Sequence, residues 1–160
     1  MENFDYFILA RTIHVVCVVL WIGGLAFVTT VLIPALIKFE DDNLRIELFE
    51  KLENRFAFQA KIITLITGVS GLYLIYALDA WSRYQHLSYW WMHLMTLIWF
   101  VFSVVLFILE PLFLHRVFKQ KTDKHGVVAF IWMHRLHVVL LSLSLTAVLG
   151  AVAGSHGYQF

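Results

Sequence analysis

The chain has 160 residues, of which 61% are hydrophobic, 16% aromatic and only 14% charged, with a formal net charge of +1 at pH 7. That composition is too apolar for a soluble globule and reads as one integral membrane domain over residues 1–160. No basic stripe is present to neutralise phosphates, which excludes a nucleic-acid partner, and the single cysteine, Cys17, excludes an internal disulfide and any cysteine-cluster zinc or iron–sulfur site.

Four segments reach the ~20 apolar residues that a bilayer crossing needs. The first runs from about Phe4 to Ile37. Its leader carries Glu2 and Asp5 instead of a basic region and its apolar run is long, so it is expected to remain as a helix and not to be cleaved as a signal peptide. It holds Arg11 and His14 one turn apart, Cys17 as a small packing residue, then Trp21 and the pair Gly23 and Gly24. The charged stretch "KFEDDNLRIELFEKLENRF" follows, with Leu44, Leu48, Phe49 and Leu52 set among charges. It is expected to be an interfacial linker, an amphipathic surface helix, or the beginning of the second segment.

The second segment, residues 55–78, contains Lys61 and the small-residue run "TGVSG" with Gly68 and Gly71. Small residues let helices approach closely in lipid, and the same glycines would also make room for a flat ligand. The third, residues 89–118, opens with "WWMHLM", placing His93 among Trp90, Trp91 and Trp99, and carries Glu110 followed by Pro111, which is expected to kink the helix. The fourth, residues 127–153, contains "MHRLH", with His134 and His137 on one face and Arg135 on another. His86 in the outer loop and His156 near the C-terminus are expected to be solvated, although with His14 and His93 they would also suit a copper-acquisition site.

The connections assign sides. Lys38, Arg45, Lys51 and Arg55 lie between segments one and two, and Arg116, Lys119, Lys121 and Lys124 between three and four. The opposite side has only Arg11 and Arg83. The bias of Lys and Arg toward the cytoplasm makes both basic connections cytoplasmic. The expectation is therefore an all-α antiparallel four-helix bundle in a bacterial-type inner membrane, multi-pass, with both termini on the outer, periplasmic side.

An ionisable side chain within a span is costly, so each needs an explanation. At 1.5 Å per residue, His14 lies roughly 13 Å below Asp5 and His93 roughly 10 Å below Leu87, similar depths on two helices. Two such imidazoles could ligate a haem iron from both faces, with Trp21, Trp90, Trp91, Trp99 and Gly24 around the macrocycle and Arg11 on a propionate. The competing reading is two interfacial histidines and a snorkelling arginine. A second group, Lys61, Glu110, His134, Arg135 and His137, falls roughly 10–18 Å from the inner surface, with His115 closer to the basic loop. It would be a buried ion-pair network joining Glu110 to Arg135 or Lys61, a proton route or quinone pocket, or ligands for a second haem. His137 is the reserve ligand.

"IHVVCVVLWIGGLAFVTTVLIPAL", a histidine followed seven residues later by tryptophan and then Gly-Gly, resembles the opening helix of the CopD-like membrane domain. "WWMHLM" is similar to a stretch in HemJ-type protoporphyrinogen oxidases, four-helix membrane proteins with b-type haem, where a lysine stands at the position of Met95. The resemblance implies either haem b and redox work in the membrane or copper handling. Copper passage through a membrane favours thiolate and thioether ligands, and one Cys and four Met without a ladder through the spans favour haem. The expected function is electron transfer by a b-type cytochrome with one or two haems, between the quinone pool and an outer-side acceptor. His14 and His93 are the axial pair in this reading. The alternatives are a copper transporter, a porphyrinogen oxidase, or an accessory subunit in a homo-oligomer or larger membrane complex.

Overall fold

The computed structural model describes residues 2–38, 41–110, 112 and 125–158, and every regular element among them is helical. Pro111, His115, Arg116, Lys119, Lys121 and Lys124 lie outside the described residues. Helix α1 (Glu2–Phe27) passes through one π-helical turn, Val28–Leu32, into α2 (Ile33–Ile37). Helix α3 spans Asp42–Ala77. Two 3₁₀ turns, Ala80–Gln85 and Leu87–Tyr89, lead into α4 (Trp90–Val104), which ends in a second π-helical turn, Val105–Leu109. Helix α5 spans His125–Ser155. Four stretches are long and apolar enough to cross a membrane: Phe4–Ile37, Arg55–Ala77, Leu87–Leu109 and Ile131–Ser155. This is a multi-pass architecture, and helices suit it because each satisfies its backbone polar groups within itself.

The charged stretch after the first span is the beginning of α3. Asp41 caps it, accepting the Leu44 backbone N–H at 3.2 Å. The first turns of α3 return beneath α2: Phe49 and Leu36 are both buried and pack together, and Arg45 donates from Nε to the Leu36 carbonyl at 3.0 Å, satisfying a helix-end acceptor. On the solvated side, Lys51 meets Glu47 at 2.6 Å, and that hydrogen bond and charge raise the lysine's pKa. Helix α3 ends at Ala77, and the chain turns away two residues later at Asp79, whose φ of 47° is the left-handed conformation that Asp tolerates. Helix α5 ends in a Schellman motif, with Gly157 at φ 81° and Tyr158 N–H returning to the Ala153 carbonyl at 3.1 Å.

Helix α1 packs chiefly on α3, and α4 on α5; contacts of α5 with α1 and α2, and of α3 with α4, close the ring. Every span supplies the core: Leu25, Ala60, Ile98, Phe102, Leu106, Leu140 and Ala147 form one buried cluster. The outward faces carry Val19, Phe58, Val69 and Leu149 in the open, an apolar surface suited to lipid. Cys17 is buried, in keeping with a packing role.

Glycines receive aromatic rings from neighbouring helices. A Cβ on Gly68 would strike the Trp99 indole, one on Gly154 the Trp91 indole, and one on Gly71 would lie 3.0 Å from His14 Cε1. Trp99 is also pinned by its Nε1–H to the Thr64 carbonyl at 2.9 Å.

Candidate functional site: an apolar cavity at His137

Toward the connection between the first two spans the packing opens. A cavity of about 540 Å³ lies among all four spans, with walls of Trp21, Gly24, Phe56, Phe102, Glu110 and His137 and several aliphatic side chains. The Trp21 ring stands edge-on to Phe102 with centroids 4.9 Å apart. Its Nε1 is buried without a hydrogen-bond partner, a donor left at the wall of a mainly apolar space.

His137 is positioned by its own helix. Its Nδ1 lies 2.8 Å from the Met133 carbonyl oxygen, one turn earlier. A carbonyl oxygen only accepts, so Nδ1 carries the proton and the neutral ring keeps a free lone pair on Nε2. An N–H held by a backbone carbonyl while the other nitrogen stays open is the arrangement found behind metal-binding imidazoles. Among the described residues Nε2 has no hydrogen-bond partner.

Glu110, also on the cavity wall, pairs with Lys61 at 2.6 Å; their side chains are 11% and 30% exposed. This realises one of the two pairings expected for Glu110. The other does not form: Arg135 is exposed and lies over the Trp132 ring, 5.6 Å from its centroid. His134 turns elsewhere again, with Nε2 3.0 Å from the Thr29 carbonyl oxygen across the bundle. The expected inner polar group is thus divided: Glu110 and His137 face the cavity, Lys61 neutralises Glu110, and His134 and Arg135 serve other contacts.

His14 and His93 have different partners. His14 Nδ1 lies 3.0 Å from the Thr67 carbonyl and 3.1 Å from Ser70 Oγ, which fixes the ring against α3 over Gly71. His93 closes the turn between α3 and α4: Nε2 is 3.0 Å from the Tyr84 carbonyl, Nδ1 is 3.2 Å from the Tyr89 carbonyl, and the ring stands edge-on to Tyr84. Neither is among the residues lining the cavity. Arg11 is exposed one turn before His14. Trp90 and Trp91 are engaged with Gly150 and Gly154. Among the described residues there is no group of three or more His, Cys, Asp or Glu side chains arranged to hold a metal ion.

Sequence reasoning overlooked Pro34, Phe56, Gln59 and Phe102. Pro34 carries a readable signal, a missing N–H within a span. The chain beside it is π-helical, with Ile33 N–H reaching back five residues to the Val28 carbonyl; the next such donor would be residue 34, serving Thr29. Proline offers none, and His134 supplies the hydrogen bond instead. The aromatic residues could not be told from ordinary core by spacing. No family model, curated protein or solved structure matches the chain.

Proposed function

We propose that this protein is a b-type cytochrome of the bacterial-type inner membrane: an antiparallel four-helix bundle with both termini outside, carrying electrons between the quinone pool and an outer-side acceptor. The observation that carries the reading is the open Nε2 of His137 at the wall of a 540 Å³ apolar cavity. The resemblance of the third span to the HemJ-type proteins agrees with haem, while that of the first to the CopD-like domain is compatible with haem or copper. The chain's residues fit a haem: an oriented imidazole and walls of aromatic and aliphatic side chains, with Phe56 seated against Gly24 at the margin of the space. This favours His137 as the iron ligand and gives His14 and His93 helix-packing and turn-closing roles.

Bound here, a haem would supply one-electron redox chemistry. His137 would donate the ligand nitrogen, with the Met133 carbonyl keeping the other ring proton in place and increasing ligand basicity. Trp21, Phe56 and Phe102 exclude water, and their low polarity disfavours the more highly charged state of the bound group. Lys61 compensates the Glu110 charge, so the cavity wall does not present a bare carboxylate.

The test is the oxidised and dithionite-reduced absorption spectrum of the detergent-purified chain and its His14→Ala, His93→Ala and His137→Gly variants. The expected result is a Soret band shifting on reduction in all but H137G, with added imidazole restoring it there. No Soret band in wild-type protein made with ample haem, or an H137G spectrum identical to wild type, overturns the assignment.

A further inference from the structure

The cavity has a neighbour. A second pocket of about 270 Å³ lies between the first and second spans and shares Val28, Leu32, Phe56 and Gln59 with the main cavity, so the two adjoin along one wall. Its remaining lining includes Leu52 and Arg55. The π-helical turn Val28–Leu32 forms part of both spaces, so the irregularity beside Pro34 shapes this margin. Arg55 and Gln59 are one helical turn apart, which puts their side chains on one face of α3. Arg55 is exposed and carries no ion pair among the described residues, whereas Glu110, the acid on the main cavity's wall, is already met by Lys61. The arrangement is an apolar chamber with an uncompensated guanidinium and an amide at its side opening, matched to a ligand with an apolar body and a carboxylate edge.

We infer that the opening between the first and second spans is where the carboxylates of the bound macrocycle lie, held by Arg55 with Gln59 beside it. The inference rests on the haem reading and specifies its orientation. The ligand reaches the cavity from the side, and its propionates remain toward the basic end of the bundle. Arg11, offered as the propionate partner from sequence, lies beside His14 and does not border either pocket.

The decisive experiment titrates apoprotein, purified from haem-deficient cells, with protohaem and with its dimethyl ester, which keeps the ring and loses both charges. Binding is followed by the Soret band. Wild type should bind the free acid on the order of tenfold more tightly than the ester, as a charge-assisted hydrogen bond implies. Arg55→Gln should lose that preference by weakening the acid alone, and Arg55→Lys should retain part of it. Equal wild-type affinities for acid and ester, or an R55Q loss that is the same for both, overturn the inference and leave the haem site intact. Failure of both ligands to bind wild type overturns the haem reading and this inference together.

Discussion

His134 in the fourth span donates from Nε2 to the Thr29 carbonyl oxygen in the first, at 3.0 Å, filling the place of the N–H that Pro34 lacks. An unpaired carbonyl inside an apolar bundle is costly, and cross-helix hydrogen bonds in membranes contribute about 0.6–2 kcal/mol. His134→Leu, which keeps bulk and removes the donor, should therefore destabilise the fold by about 1 kcal/mol in a detergent denaturation titration. In a Pro34→Ala background the helix regains its own donor and the same change should cost much less. Strictly additive effects in this double-mutant cycle would refute the compensation.

The glycine contacts separate steric sites from idle ones. Gly68→Ala drives a methyl group into the Trp99 indole, which the Thr64 carbonyl holds in place, and should cost about 1–3 kcal/mol. Gly71→Ala should push the His14 ring outward and cost less, since only Cε1 lies close, at 3.0 Å. Gly23 has no atom within 4 Å of where a Cβ would stand, so Gly23→Ala should be neutral or stabilise by up to about 1 kcal/mol through helix propensity. Equal effects at positions 23 and 68 would show that the glycines act through the backbone and not through ring packing.

The spans could be read from sequence because hydrophobicity over 20 residues is a strong, additive signal. The first expected span, 4–37, coincides with the structural one, and the second differs by a residue at its end. The Glu110–Lys61 pairing was one of two offered, because a buried carboxylate must find a cation and few were within reach. The partners of His14 and His93 were not readable, since depth along a helix does not specify rotation about it. A histidine at the right height can face a neighbouring helix, as His14 does, or a loop, as His93 does. Cavities are harder still, because an unfilled space is a property of several helices and no residue of any one of them announces it.

His93 offers a check on that distinction. With both ring nitrogens directed at carbonyls of Tyr84 and Tyr89, His93→Phe should loosen the turn between α3 and α4 and leave any Soret band unchanged. Hydrogen exchange of the amides in residues 80–89 should quicken, while those of residues 98–104 hold. A lost or five-coordinate haem spectrum in H93F, with exchange unaltered, would return this histidine to the role of ligand.

The Lys61–Glu110 pair makes the sharpest claim about the cavity wall. Glu110 is 11% exposed at its side chain and Lys61 30%, so removing the lysine strands a carboxylate more deeply than removing the acid strands an ammonium. Breaking a fully buried pair costs about 3–5 kcal/mol, and the partial exposure of Lys61 places Lys61→Met below that range. Glu110→Gln should cost less, because Lys61 can extend toward the lipid–water boundary. The double variant K61M/E110Q should recover most of the loss from K61M, since the stranded charge is gone. Detergent denaturation of the four proteins decides it. If K61M is as stable as wild type, Glu110 carries no charge needing compensation, and the ion pair has no part in keeping the cavity wall neutral.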